Sequence, residues 1–474
     1  MKDKKLSLGT KLGYGIGQIG DSGGYNLFYF FFLFFLTDVA GVSPAIAGTI
    51  SLIAVLWDAI TDPIIGHLSD NCKSKYGKRR PFMLAGAIPY FICMVLMFTN
   101  VDLPAGVKGI YFVILAAAFW TFYTVYVIPF FALGGAITDD FEGRTSLRAW
   151  ASVFMYLAVM LASAAPPVIV DYTEKVFGGS VNDGWRNVGL IVGGITLACA
   201  LICWFAMRGK EQIEEPKASV TEHKKNIFKT YWEILKLRPV KYLALSIIFW
   251  CIACAAINGA PVYLMDNNLH LSAGDQSLFF VLNSLFAIAW IPVINGLCKI
   301  IDKKWVYCFA MLFTAIAMCI LGIIGINSFA GMIVLAILVQ FGNTTFWTLY
   351  YSLMYDIDEV DEYANGIRRE GAVTAIMALS QKIGSAIGLQ IMGIYLELGG
   401  YGDPAADADK VANTILGINT WFIGVFGIIA AVSIVAYPVT KEKYNALLDA
   451  LQKKKQGLEY SEEGFAEIYH RVKK

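Results

Sequence analysis

Charged residues are scarce in this sequence of 474 residues, since Asp, Glu, Lys and Arg make up only 16% of it. A soluble domain of ordinary composition carries about 25% of these residues. Hydrophobic residues account for 57% of the chain, and many apolar runs reach the roughly 20 residues that cross a bilayer core of about 30 Å. This composition excludes a soluble globular protein and indicates a multi-pass membrane protein. The formal net charge of +1 gives no reason to expect a nucleic-acid partner.

Residues typical of metal centres and catalytic sites are also few. The four histidines lie far apart in the sequence, and the nine cysteines are scattered through the apolar runs. Cys251 and Cys254 form a CxxC pair inside such a run, where free cysteine behaves as a small packing residue. We find no nucleophile with a neighbouring base. The sequence therefore predicts neither an enzyme nor a bound cofactor.

Twelve apolar stretches predict twelve membrane-spanning helices, numbered here as spans 1 to 12 in chain order. They cover about residues 12–36, 44–69, 81–99, 108–136, 149–170, 186–207, 241–265, 272–298, 304–325, 329–354, 371–396 and 412–438. The longest polar stretch between spans, 208–240, separates six spans from six. This layout predicts an all-α membrane protein with an N-terminal six-helix bundle (1–207), a central cytoplasmic loop (208–240) and a C-terminal six-helix bundle (241–440). Transporters of this layout bind substrate near the bilayer midplane, where the two halves meet.

Lysine and arginine are concentrated in alternate loops, including 73–80 and 208–241. Cytoplasmic loops carry the excess of basic residues in membrane proteins. We therefore expect a protein of the cytoplasmic membrane with both termini in the cytoplasm. The segment 441–474 has the pattern of a short amphipathic cytoplasmic helix, lying on the membrane or on the bundle.

Span 2 contains two carboxylates, Asp58 and Asp62, within an otherwise apolar run. A charged side chain at the bilayer centre costs roughly 2.5–3.5 kcal/mol on insertion scales. The spacing of four residues puts both acids on one helix face, with Thr61 beside them, so the pair requires a shared proton or a bound cation. The alternative is a structural salt bridge, for which Lys382 in span 11 and Arg148 at the start of span 5 are candidate partners.

Other spans also contain polar residues, which are not expected in helices that face only lipid. Asp21 lies among glycines in span 1, and an acid inside a membrane is a functional candidate. Span 10 has several polar residues around Trp347, and Tyr29 and Tyr123 also have polar neighbours. Such donors, acceptors and aromatic faces suit the hydroxyls and the apolar side of a sugar ring.

Several segments together resemble the glycoside–pentoside–hexuronide:cation symporters of the major facilitator superfamily. The segments are "YGIGQIGD", "WDAITDPIIGHLSDNCKSKYGKRRP", "YTVYVIPFFALGGAIT", "EGRTSL" and "MYDIDEVDEYANGIRREGAVTAIMALSQKIGSAIG". The resemblance implies the major facilitator fold and symport of a sugar, glycoside or hexuronide into the cell with Na⁺ or H⁺. A proton-coupled carrier of another small organic solute is the alternative. We expect a protein that works as a monomer, with sugar, monovalent cation and lipid as its only partners.

The resemblance also assigns roles to residues. It implies a cation site, for Na⁺ as the metal ion, at Asp58, Thr61, Asp62 and Thr124, with Thr61 standing where melibiose carriers of the family have asparagine. It implies a sugar pocket with Tyr29, Trp347 and Lys382. The two acids that hold the galactosyl hydroxyls in those carriers are replaced here, as are a tryptophan of helix 4 and a lysine of helix 1. The pocket positions that differ or match only loosely are Asp21, Ser22, Val127, Phe131 and Arg148.

We expect the loops 70–80 and 356–369 to form cytoplasmic gate contacts that stabilise the outward-open state. The residues of this prediction are Asp70, Arg79, Arg80, Asp356, Arg368 and Arg369. Asp302 follows span 8 at the place where Asp70 follows span 2, and a basic cluster follows both. We interpret this as a weak internal repeat. The alternative, ordinary positive-inside charge, explains the lysines but not an Asp at the same place in both halves.

Overall fold

The computed structural model describes residues 6–74, 76–138, 141–211, 227–367, 369–462 and 464–468. Among these residues, eleven helices are long and apolar enough to cross a membrane. They correspond to predicted spans 2 to 12, in the order Pro44–Asp70, Arg80–Met97, Gly106–Ala136, Thr145–Phe177, Val181–Ala206, Arg238–Asn268, Ala273–Ile300, Lys303–Ile324, Phe329–Asn365, Glu370–Leu398 and Ala408–Val435. Isoleucine and valine side chains remain exposed along many of these helices. Such exposed apolar surface is typical of helices that face lipid.

Span 1 is helical but segmented. It consists of Leu8–Gly15, Gly17–Leu27 and the short π-helical segments Phe28–Phe32 and Phe35–Val39. Glycine at position 20 lets the Tyr126 hydroxyl of span 4 approach the backbone, since a Cβ there would lie 2.5 Å from that oxygen. Small residues are used in this way where membrane helices pack closely.

The chain divides into two compact units. Unit 1 contains the described residues of Met1–Ala218, Asn258–Ser284 and Leu389–Ile415. Unit 2 contains the described residues of Ser219–Ile257, Leu285–Gly388 and Leu416–Lys474. Spans 1 to 6 therefore pack within unit 1, which also includes parts of spans 7, 8, 11 and 12.

Polar contacts join span 1 to these later segments within unit 1. The hydroxyl oxygens of Thr37 and Tyr263 lie 3.0 Å apart. Tyr401 donates to Asp38 and accepts from the Asn267 amide, whose nitrogen is 2.9 Å from the tyrosine oxygen. These contacts lie at the end of span 1 and hold the segments 258–284 and 389–415 against it.

Within unit 2, span 11 packs closely on span 7. A Cβ at Gly388 would lie 2.7 Å from the carbonyl oxygen of Ile252, so the two backbones approach at this glycine. All nine cysteines are free of disulfide bonds, and Cys251 and Cys254 are buried, in agreement with their prediction as packing residues.

The C-terminal segment forms a helix, Lys441–Gln456, that packs on unit 2. Leu447 and Leu451 are buried on one face of this helix. Lys455 makes an ion pair of 2.6 Å with Glu362 at the end of span 10. Of the two predicted positions, on the membrane or on the bundle, the structure shows contact with the helices.

Candidate cation and substrate sites

The carboxylate pair lies on the face of span 2 that packs against span 4. Asp58, Thr61 and Asp62 are separated by helical steps of three and four residues, which places them on one face. Asp58 is only 3% exposed, Thr61 is buried and Asp62 is half-buried. Pro63 has no backbone N–H and therefore leaves the Ala59 carbonyl without its usual helical donor. The helix thus offers both charged and neutral oxygen atoms at this level.

Thr124 of span 4 completes the group. Its hydroxyl oxygen lies 2.7 Å from Oδ1 of Asp58 and 3.3 Å from Oδ1 of Asp62. It also lies 3.4 Å from the hydroxyl of Thr61, which is 3.1 Å from the Asp58 carbonyl oxygen. A threonine hydroxyl has a single hydrogen and can turn its lone pairs toward a cation. We call these four side chains the cation cluster, because hard cations prefer oxygen ligands of this kind.

Replacing Thr124 with alanine should lower the affinity for the coupling cation by roughly tenfold or more, since a hydrogen bond to a charged group contributes about 1.5–3 kcal/mol. Thr124→Ser retains the hydroxyl and should retain most of the affinity. Na⁺ titration followed by tryptophan fluorescence measures the change. Thr121→Ala is the matched control, since Thr121 accepts from Trp57 at 2.8 Å; equal losses in both alanine variants would contradict a role specific to Thr124.

A second polar network surrounds Asp21 in span 1. Tyr123 of span 4 donates to Oδ1 of Asp21 at 2.7 Å, and Ser22 donates to Oδ2 at 3.0 Å. The Gln18 amide also donates to Oδ2. The sequence alone does not assign Gln18 or the partner of Tyr123. The signal available in the sequence is that Tyr123 and Thr124 are neighbouring polar residues within an apolar span.

The aromatic residues predicted for the substrate pocket have different surroundings. Tyr29 is buried in an aromatic cluster, with ring centroids 4.7 Å from Tyr25 and 6.2 Å from Trp120. Phe131 of span 4 is 39% exposed, and the Arg148 guanidinium lies 5.4 Å from its ring centroid. Arg148 is itself exposed. The two exposed side chains form a cation–π pair on the surface of unit 1.

The remaining predicted pocket residues belong to unit 2. Trp347 of span 10 is partly exposed, and its ring centroid lies 5.1 Å from Phe346 and 6.0 Å from Tyr350. Lys382 of span 11 is half-buried. These two predicted pocket residues lie within unit 2. The cation cluster and Asp21 lie within unit 1.

The predicted gate residues of unit 1 form a local network at the ends of spans 2 and 3. Arg79 makes an ion pair with Asp70 and donates to Ser69 at 2.9 Å. Arg80 is buried and donates to the carbonyl oxygen of Trp204 in span 6 at 2.9 and 3.1 Å. Its guanidinium also lies 4.4 Å from the Trp204 ring centroid. The loop is therefore attached to span 6 as well as to span 2.

The described gate residues of unit 2 form three ion pairs. Asp356 pairs with Lys303 of span 9 at 2.6 Å. Arg369 donates to both carboxylate oxygens of Asp361, at 2.6 and 2.8 Å, and to Glu233 at 2.9 Å. These hydrogen bonds, led by those that Arg369 donates to Asp361, raise the pKa of Arg369 above its usual value despite partial burial. The partners Asp361, Glu233 and Lys303 were not predicted from the sequence, and Arg368 lies outside the described residues.

The internal repeat does not lead to equivalent contacts. Asp70 pairs with an arginine side chain. Asp302 instead accepts from the backbone N–H of Lys304 at 3.0 Å and so caps the start of span 9. The same residue type at matching positions therefore serves two different local structures.

A sequence model of the family described as "MFS/sugar transport protein" matches residues 13–441. The inner membrane symporter YicJ of Escherichia coli (strain K12) is 27% identical, with 94% of each chain covered. The glucuronide carrier protein homolog of the same organism is 27% identical over 96% of this chain and 97% of its own. The isoprimeverose transporter of Lactiplantibacillus pentosus is 27% identical over 94% of this chain and 91% of its own.

Solved structures show the same fold at low sequence identity. A bacterial homolog of the human lysosomal transporter Spinster, in an inward-facing and unoccupied conformation, covers 91% of this chain with a TM-score of 0.67 and 13% identity. The match includes 96% of the residues of that homolog. The D-xylose-proton symporter covers 90% of this chain, is itself covered to 96%, and has a TM-score of 0.61 at 16% identity. The chain has the major facilitator fold, is a transporter rather than an enzyme, and belongs to the MFS/sugar transport protein family of glycoside and hexuronide symporters.

Proposed function

We propose that this chain imports a sugar, glycoside or hexuronide together with Na⁺ or H⁺, which binds at the cation cluster. The observation that carries the proposal is the position of the Thr124 hydroxyl, within 3.3 Å of a carboxylate oxygen of both Asp58 and Asp62. The relatives named as a glucuronide carrier homolog and an isoprimeverose transporter support a substrate of the sugar class.

Coupling follows from the electrostatics of the pair. Two ionised carboxylates about 5–6 Å apart on one helix face repel by roughly 3 kcal/mol at an effective dielectric of 20. A bound cation removes this repulsion and draws spans 2 and 4 together through Thr124. If cation binding raises the sugar affinity, the sugar must raise the cation affinity by the same factor. Loaded and empty carriers then change conformation, and half-loaded carriers do so poorly.

For the substrate we propose candidate residues within each unit, described here separately. In unit 1, the candidate residues are Ser22, Tyr29, Phe131 and Arg148, together with the network of Asp21. The exposed guanidinium of Arg148 beside an aromatic ring would suit a carboxylate on a sugar. In unit 2, Trp347 offers an aromatic face and Lys382 a positive charge.

We further propose that the ion pairs Arg79–Asp70, Lys303–Asp356 and Arg369–Asp361 act as cytoplasmic gate contacts. The basic loops favour this side of the membrane, with both termini in the cytoplasm. We also propose that the protein works as a monomer in the cytoplasmic membrane and needs no cofactor besides the coupling ion.

The proposal is tested with a sugar panel that includes a glucuronide, isoprimeverose and melibiose, measured by binding to the purified protein in Na⁺ and in choline at several pH values. We expect at least one sugar to bind more tightly with Na⁺ or at lower pH. Dependence on pH alone identifies H⁺ as the coupling ion. A sugar that binds equally in every condition would contradict symport, and binding of none would favour a carrier of another organic solute.

A further inference from the structure

The carboxylate of Asp21 is buried and fully engaged by hydrogen-bond donors. Asp21 is 8% exposed, and Gln18, Ser22 and Tyr123 around it are each at most 8% exposed. Both of its oxygens accept hydrogen bonds, Oδ1 from Tyr123 and Oδ2 from Ser22 and Gln18. The position is therefore built to hold a carboxyl group in one orientation.

No basic side chain forms an ion pair with Asp21 in the part of the chain that the structure describes. The titratable and charged groups that face this part of span 1 come from spans 1, 3, 4, 5 and 6, and they are Tyr14, Tyr90, Tyr123, Tyr126, Arg148 and Cys203. Arg148 is the one cation among them, and its exposed guanidinium lies against Phe131. An unpaired charge at membrane depth is costly, and taking up a proton removes that cost.

The network can accept this proton without moving its heavy atoms. A protonated Oδ2 would donate to the Ser22 oxygen, 3.0 Å away. The hydroxyl hydrogen of Ser22 can then turn to a carbonyl of its own helix, as serine commonly does. Tyr123 continues to donate to Oδ1, so the link between spans 1 and 4 is kept in both protonation states.

Neighbouring residues of span 4 contact the Asp21 network and the cation cluster. Tyr123 contacts Asp21, and the next residue, Thr124, contacts Asp58 and Asp62. The two networks thus use different hydroxyl groups of span 4, that of Tyr123 and that of Thr124. We propose that Asp21 is a second proton-binding site, which stays protonated while Asp58 and Asp62 exchange their cation. This inference goes beyond the proposed symport and holds for either coupling ion.

Infrared spectroscopy of the purified full-length protein tests the proposal, since a protonated carboxyl group has its own C=O stretching band. We expect the wild-type protein to show a buried protonated-carboxyl band at neutral pH, in NaCl and in choline chloride alike. The band should be lost in Asp21→Asn and kept in the matched variant Asp58→Asn. An identical band in wild type and Asp21→Asn, or no such band in wild type, would overturn the proposal.

A second variant keeps the test decisive if Asp21→Asn does not fold. Tyr123→Phe removes the donor to Oδ1 and leaves the carboxyl group in place. We expect the band to shift in position in this variant, because the carbonyl loses a hydrogen bond, and a band that does not move would count against Asp21 as its source. The measurement needs no sugar, so its result stands apart from the outcome of the sugar panel.

Discussion

We expect the replacement of Asp58 with asparagine to abolish the cation dependence of sugar binding. The attraction between a unit cation and one carboxylate at about 4 Å is about 4 kcal/mol at an effective dielectric of 20. We therefore expect the Na⁺ affinity to fall by at least roughly a hundredfold. Asp62→Asn should also lower the Na⁺ affinity, but by a smaller factor, because Asp62 is more exposed than Asp58 and lies farther from Thr124.

Na⁺ titration of each variant, with and without a bound sugar, measures this change. Asp171→Asn is the matched control, because Asp171 is also a span carboxylate but pairs with Lys175 one turn further, at 2.7 Å. We expect the control to titrate like the wild type. If Asp58→Asn and Asp62→Asn bind Na⁺ as tightly as Asp171→Asn, the cation cluster has no role in coupling and the acids are structural.

Removing one partner of the Arg369–Asp361 pair destabilises the protein more than any exposed ion pair would. Asp361 is completely buried and the Arg369 side chain is 10% exposed. Breaking a buried pair leaves a charge without compensation and costs about 3–5 kcal/mol. We expect this loss in Asp361→Asn and in Arg369→Gln. The double variant should lose clearly less than the sum of the two, since it leaves no buried charge.

Thermal inactivation in detergent and the rate of sugar uptake are the measurements for this pair. Arg186→Gln is the control, because the Arg186–Asp183 pair, at 3.0 Å, is exposed on both sides, and such pairs contribute about 0–1 kcal/mol. If the pair also acts as a gate contact, the rate of sugar uptake should change in these variants at temperatures where they remain folded. Equal stability in Arg369→Gln and Arg186→Gln would refute the buried pair as a stabilising contact, and an unchanged uptake rate would refute the gate.

Local patterns in the sequence were sufficient for several features. Apolar runs longer than a bilayer is thick predicted spans 2 to 12, because a chain in lipid must satisfy its backbone hydrogen bonds within each segment. Helical periodicity placed Asp58, Thr61 and Asp62 on one face before any neighbour was known. Span 1 was located by its apolar run, but the sequence did not predict its segments or the π-helical turns at Phe28–Phe32 and Phe35–Val39.

The sequence by itself was thus sufficient to predict a multi-pass helical membrane protein and its family. It also identified the intramembrane carboxylates as functional candidates, because a charge inside a membrane helix is costly. Only the tertiary structure decided which partners these groups meet. Arg369 donates to Asp361 and Tyr123 donates to Asp21. Neither pairing was predicted from the sequence, because the partner of a side chain depends on how the segments pack. Helical periodicity fixes the direction of a side chain from its own helix, and it carries no information about which helix stands opposite.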